Sequence, residues 1–240
     1  MENYNENYNS TQVLSNTFVA NVFMWMFAAL GITALTAYLF GTTPDLMMSM
    51  FSVRADGSAS LNLLGWIVML APLIIVFVMS FGMEKMKAST MIILYLVYSV
   101  LMGMSLGFIF LAYTGASIAK TFVITAGMFG LMAFLGYTTK TDLTKMGSIL
   151  LMGLFGIIFA TVVNMFMHSE SLDYIISIVG VIIFTGLTAY DVQKIKEIGM
   201  MGMDNNETMT KISIQAALSL YLDFINLFLY LLRFFGRSKN

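Results

Sequence analysis

Apolar residues along this chain come in long unbroken runs. They do not alternate as in a strand, nor do they form the one-sided stripe of a soluble helix. Crossing a bilayer as a helix takes about 20 mostly apolar residues. Seven runs meet that demand, at about 18–40, 61–81, 89–112, 119–137, 148–167, 172–191 and 216–235. A membrane barrel strand would instead alternate over about ten residues. The pattern predicts an all-α membrane protein, a seven-transmembrane-helix bundle. Residues 1–17, MENYNENYNSTQVLSNT, are polar and read as a flexible tail. No basic residue precedes the first apolar run as one would in a signal peptide, so span one is expected to be retained. The reading is one membrane domain over 18–236 and a short tail over 237–240. The longest polar connection, 192–215, reads as a mobile loop between spans six and seven.

Composition sharpens this picture. Soluble domains carry roughly 25% charged residues, and this chain carries 10% against 59% hydrophobic. Twelve basic and thirteen acidic residues cannot cover a soluble fold of 240 residues. A net charge of −1 gives no basic surface for nucleic acid. Cysteine is absent, which removes disulfides, thiolate metal sites and thiol nucleophiles. The 23 methionines read as lipid-facing and gap-filling side chains. Small residues four apart, Gly103/Gly107, Ala126/Gly130 and Gly156/Ala160, are expected to let helices approach closely.

Loop charge predicts orientation. Lys85, Lys87, Lys140, Lys145, Lys194, Lys196 and Lys211 fall with the N-terminus on one side of the membrane. Arg54 and Lys120 fall on the other, joined there by Arg233, Arg237 and Lys239. Basic residues favour the cytoplasm, so the N-terminus is expected inside and the C-terminus outside. A re-entrant last segment would return that tail to the cytoplasm.

Two acids lie where acids are costly. Asp191 closes span six in FTGLTAYDVQKIK, and Asp223 lies within span seven in ALSLYLDFINLFLYLLRFFG. A helix-centre Asp costs roughly 2.5–3.5 kcal/mol to insert, and one that is tolerated usually faces the protein interior and a partner. Spans six and seven share one connection and should be antiparallel neighbours, which lets the two carboxylates meet. Two carboxylates in a dry site cannot both ionise cheaply, so the pair holds one proton and titrates as a unit. A shared proton fastens two helices, and its loss leaves like charges that repel or recruit a cation. Ca²⁺ prefers oxygen ligands of this kind. The pair therefore fits a proton latch or a cation site.

Other polar residues carry weaker signals. Asn226 and Tyr230 share the Asp223 face at helical spacing, and Asn226 could bond the carboxylate or join two helices. Arg233 is expected to snorkel to the interface. His168, Glu170 and Asp173 read as a solvated loop and make a weak metal signature. Asn164 is expected to stitch helices, and Pro72 to shape span two.

The segments GLTAYDVQKIK (186–196) and ALSLYLDFINLFLYLLRFFG (217–236) resemble the Bax inhibitor-1, or transmembrane Bax-inhibitor-motif, family, in the form of a bacterial member. The first five spans match that family in layout rather than in motif. The resemblance implies a seven-helix bundle with the last helix central, set in the bacterial inner (plasma) membrane. It implies a pH-sensitive Ca²⁺ leak channel in which an aspartate pair, by motif position Asp191 and Asp223, latches spans six and seven. Leak-channel relatives carry an arginine at the end of span two. Here the segment is SFGMEKMKAS, with Glu84, Lys85 and Lys87 and no arginine, so Lys85 is the available replacement. It offers a point charge without the planar fork for bidentate pairing.

The expected function is therefore a pH-sensitive Ca²⁺ leak, with the lipid bilayer, protons and Ca²⁺ as partners and no cofactor required. The alternative is a regulatory protein without transport, which binds a membrane-bound ATP-dependent protease or another partner, as some bacterial relatives do. An intramembrane aspartyl protease fits poorly. Leu220, Tyr221 and Leu222 precede Asp223 in place of a GxG turn, and no PAL-type motif occurs. The chain is not expected to be an enzyme.

Overall fold

The computed structural model describes residues 2–53, 58–201 and 205–236. Arg54, Arg237 and Lys239, counted above for orientation, lie outside the described residues. Helix α1 spans Glu2–Thr42 and is followed by the short α2, Pro44–Met48. A small hairpin comes next, β1 Phe51–Val53 paired antiparallel with β2 Ala59–Leu61. Then come α3 Leu63–Gly82, α4 Ala88–Leu106 and α5 Ile109–Ala112. The chain ends with α6 Gly115–Thr138, α7 Thr144–Met167, α8 Glu170–Met201 and α9 Asn206–Phe235. Among the described residues, 7 helical stretches are long and apolar enough to cross a membrane, with α4 and α5 forming one of them. The fold is an all-α membrane protein.

Three boundaries differ from expectation. The first span begins at Val13, inside the stretch read as a tail, and α1 as a whole begins at Glu2. Ser15 is already buried there and donates to Lys196 O at 3.0 Å. The polar stretch after Asp191 is also not a long loop. Helix α8 continues ten residues past Asp191, to Met201, and α9 starts at Asn206. The reason is periodicity. Val192, Ile195 and Gly199 are buried three and four residues apart, and Gln193 and Lys196 between them bond residues 137–143. Lastly, α9 is one continuous helix of 30 residues that begins ten residues before the span expected from residue 216. Pro72 sits inside α3, which runs unbroken across it.

The chain divides into two compact units. One contains α1 up to Ala20, α6, α7, α8 and α9 from Ser219. In it α8 packs against both α6 and α7. The contact with α6 is made at Gly136, where any Cβ would run into Ala189 O. The contact with α7 is made at Gly147, which faces the Tyr190 ring, and at Gly186, which faces Leu150. Gln193 clasps the α6–α7 connection from α8, donating to Thr141 O at 2.9 Å and accepting from Leu143 N at 2.8 Å. Lys196 donates to Tyr137 O at 2.8 Å, which satisfies a carbonyl in the last turn of α6.

The other unit holds α1 from Asn21, α2 to α5, the hairpin, and α9 up to Leu218. Here α4 meets α1 through Gly103, whose Cβ would lie 2.6 Å from Thr33 O, and Thr33 Oγ1 donates to Ser99 O at 2.9 Å. Asn62 begins α3 as its cap, accepting from Gly65 N at 2.9 Å and donating to Ser49 O at 2.7 Å. Glu207, in the first turn of α9, accepts from Ala88 N at the start of α4. Of the small-residue pairs, Gly103/Gly107 is a close helix contact, as expected. Gly130 and Gly156 have nothing within 4 Å, so the other two pairs do not join helices.

Burial grades the helices. In the most apolar window of α7, 6% of residues are buried, against 50% for α8 and 61% for α9. Phe155 and Phe159 point outward from α7, as side chains facing lipid do. Helix α9, the most enclosed of the seven, is the one that the resemblance expects at the centre.

Candidate functional site: two acids in one cavity

Three contacts fix α8 and the second half of α9 side by side and antiparallel. Ser219 meets Asp191 near one end, the Tyr230 ring lies on Gly180 farther along, and Arg233 pairs with Asp173 at the other end. This register brings Asp191 and Asp223 into one cavity of about 420 Å³ between α7, α8 and α9. Its walls are mostly apolar, with Leu151, Leu154 and Ile158 from α7 and Phe184 and Leu187 from α8. Its polar groups are the two acids, Ser219, Asn226, Tyr190, Tyr230 and Lys194.

The two acids have different surroundings. Asp191 Oδ2 accepts a short hydrogen bond of 2.5 Å from Ser219 Oγ. Lys194, one turn on, is exposed, lines the same cavity and lies 5.9 Å from the Tyr190 ring centre. Asp223 is 5% exposed, and its Oδ2 has no hydrogen-bond partner among the described residues. An unpaired buried carboxyl oxygen is costly, and far more so when charged. Position compounds the cost, since Asp223 lies roughly 10 Å into the apolar run that begins near residue 216.

The structure thus brings Asp191 and Asp223 to one site. Asn226 lines the cavity, but its amide donates to Leu222 O at 2.8 Å, within its own helix. A polar side chain in a span satisfies itself on the preceding turn when no partner faces it. Of the two roles open to Asn226, a bond to the carboxylate or a link between helices, its amide nitrogen makes neither. Glu84 and Lys85 are exposed in the turn after α3, in the other unit. Among the described residues no group of three or more His, Cys, Asp or Glu could hold a metal ion. A Ca²⁺ ion takes 6–8 oxygen ligands. Two carboxylates with Ser219 and Asn226 would supply only part of that set.

Sequence reasoning missed Ser219. Its position was the available signal: four residues before Asp223, it shares that residue's helix face, so it faces whatever Asp223 faces.

The opposite end of the pair holds a second cavity of about 380 Å³, lined among others by Asn164, His168, Glu170, Asp173, Ser177 and Arg233. Arg233 pairs with Asp173, a guanidinium nitrogen lying 2.7 Å from Asp173 Oδ1, with both side chains about half exposed. Asn164 does not stitch helices side to side. It accepts from Ser169 N at 3.0 Å and closes the turn between α7 and α8. His168 turns the chain there with φ of 51°.

Comparison with known proteins agrees with this architecture. The family model described as "Inhibitor of apoptosis-promoting Bax1" matches residues 15–240. The inner membrane protein YbhL of Escherichia coli K12 is 45% identical over 225 residues, covering 93% of this chain and 92% of that protein. A protein of Borreliella burgdorferi is 46% identical over 228 residues, 95% of each chain. A membrane protein of Streptococcus pyogenes serotype M6 is 32% identical over 231 residues, 96% of this chain and 97% of the other. Seven spans, the two signature segments and a match along nearly the whole chain lead to one assignment: this protein belongs to the Bax inhibitor family of multi-pass membrane proteins.

Proposed function

We propose that the chain is a pH-sensitive cation leak channel, with Ca²⁺ as the ion carried, gated by a proton shared between Asp191 and Asp223. The observation that carries this reading is the common cavity, in which one acid has a hydroxyl donor and the other a buried oxygen with none. With one proton in the pair, a single negative charge remains, and Ser219 supports it on Asp191. When the proton leaves, two like charges face one another in a low-dielectric pocket. They repel each other, or a divalent cation enters between them. Flux therefore rises as pH rises through the titration of the pair.

In this reading the acids bind a proton and a passing cation, and the chain performs no bond-breaking chemistry. The E. coli relative is by name an inner membrane protein. That likeness supports placement in a bacterial inner membrane, and the distribution of lysines supports a cytoplasmic N-terminus. The pair then lies toward the cytoplasmic side and the Arg233 cavity toward the outside. Release of trapped Ca²⁺ from liposomes containing the purified chain, followed across a pH series, tests the proposal. Flux that climbs with pH supports it, and no flux at any pH overturns it.

A further inference from the structure

Two cavities lie along the same face of the α8–α9 pair, their lining residues about two turns apart on α8 and one turn apart on α9. On α8, Ser177 lines the Arg233 cavity and Phe184 lines the acid cavity. Gly180 sits between, three residues from one and four from the other, on the same helix face. On α9, Arg233 lines one cavity, and Tyr230, a turn earlier, lines the other. The space beside Gly180 is filled by the Tyr230 ring, which comes within 2.7 Å of where a Cβ at Gly180 would stand. The same ring stacks on Phe184, with centres 5.9 Å apart and planes 27° from parallel. The Arg233 guanidinium carbon lies 5.9 Å from the ring centre, while its nitrogen holds Asp173. An aromatic ring thus occupies the stretch between the two spaces, and it fits there because position 180 has no side chain.

We propose that the Tyr230 ring, seated on Gly180 and stacked on Phe184, is the partition that closes the acid cavity against the Arg233 cavity. Its displacement joins the two spaces into one continuous path along α8 and α9. The partition stands apart from what crosses it, whereas its role as a gate for cations rests on the leak-channel reading.

The chain has no cysteine, so one introduced thiol is the only thiol in the protein. The full chain carrying Asn226→Cys reports on the acid cavity, and the chain carrying Ser177→Cys reports on the other. A membrane-impermeant cationic thiol reagent is applied from the Arg233 side. Ser177→Cys is expected to react whether or not Tyr230 is present, and it also serves as the check on folding. Asn226→Cys is expected to be protected in the parent chain and with Tyr230→Phe. With Tyr230→Ala it should react at least about tenfold faster, as expected when a packed barrier opens locally. Should Tyr230→Ala fail to fold, Gly180→Ala serves instead, since its methyl must push the ring aside and speed the same reaction.

Equal labelling of Asn226→Cys with and without the ring, in folded protein, overturns the partition. Labelling depends neither on Ca²⁺ movement nor on titration of the acids. Absence of flux at every pH with ring-dependent labelling therefore refutes the leak-channel reading alone. In vesicles whose flux does depend on Asp223, Tyr230→Ala should leak Ca²⁺ faster than the parent chain, and equal rates contradict the gate.

Discussion

At one end of the α8–α9 pair an acid meets a cation in view of solvent, and at the other two acids line one cavity. Arg233 and Asp173 are 41% and 48% exposed and touch at 2.7 Å. Asp223 is 5% exposed, with an oxygen that no donor reaches among the described residues. The same two helices supply both pairs, so the difference comes from the surroundings. An exposed ion pair is screened and loses side-chain freedom, and contributes about 0–1 kcal/mol. A buried acid is governed by desolvation, which sets its protonation before any partner does. Opposite charge at the open end is therefore a fastening of small worth, while under the proposed function the two acids at the other end hold a choice between two states.

The largest effect on this contrast should come from beneath the end that holds the two acids. Gly136→Leu drives a side chain into the backbone at Ala189, two residues before Asp191. Overpacking costs about 1–3 kcal/mol, and a rigid carbonyl leaves little room to relax, so a loss toward 3 kcal/mol is expected. Thermal unfolding in detergent measures it. Ser219→Ala should come next. It removes the donor from Asp191 and leaves a second acid without a partner, at a cost of about 1–3 kcal/mol at neutral pH, which Ser219→Thr restores. Arg233→Gln, at the open end, should cost under about 1 kcal/mol, and less again in high salt. An Arg233 variant as damaging as Ser219→Ala would erase the distinction between the two ends.

The smallest effect lies outside the membrane, at the fully exposed Asp142. Hydrogen bonds from Thr144, through its side chain and then its backbone N–H, hold the Asp142 carboxyl below the usual carboxylate range. A folded-state value below the unfolded one makes the contribution complete above the ordinary carboxylate value. It is lost as pH falls through the folded value. Asp142→Asn keeps an acceptor but cannot titrate, so exchange protection of the Thr144 amide should lose its decline in acid.

Much of this was legible in the sequence, for reasons that the misses make plain. The seven spans could be read because continuous apolarity is what lipid requires, and the two acids because lipid penalises them. The second half of α8 was not legible. Gln193 and Lys196 look like loop residues, yet they bond Thr141, Leu143 and Tyr137, contacts that only the fold provides. Small-residue spacing identified Gly103 correctly but not Gly130 or Gly156, because spacing does not say whether a face meets protein or lipid. Asn226 shares the right face, but its own backbone offered a nearer acceptor than the carboxylate did. The three-residue strands of the hairpin were too short to leave an alternating pattern.

The central claim is one proton held between Asp191 and Asp223, and infrared difference spectroscopy of the full chain in lipid tests it most directly. As pH is raised, the wild-type chain should lose one protonated-carboxyl band in the same pH interval in which Ca²⁺ flux begins. Asp223→Asn should lack that coincidence. A band that is absent, or that survives unchanged in the Asp223→Asn chain, would contradict the shared proton and leave the cavity without its switch.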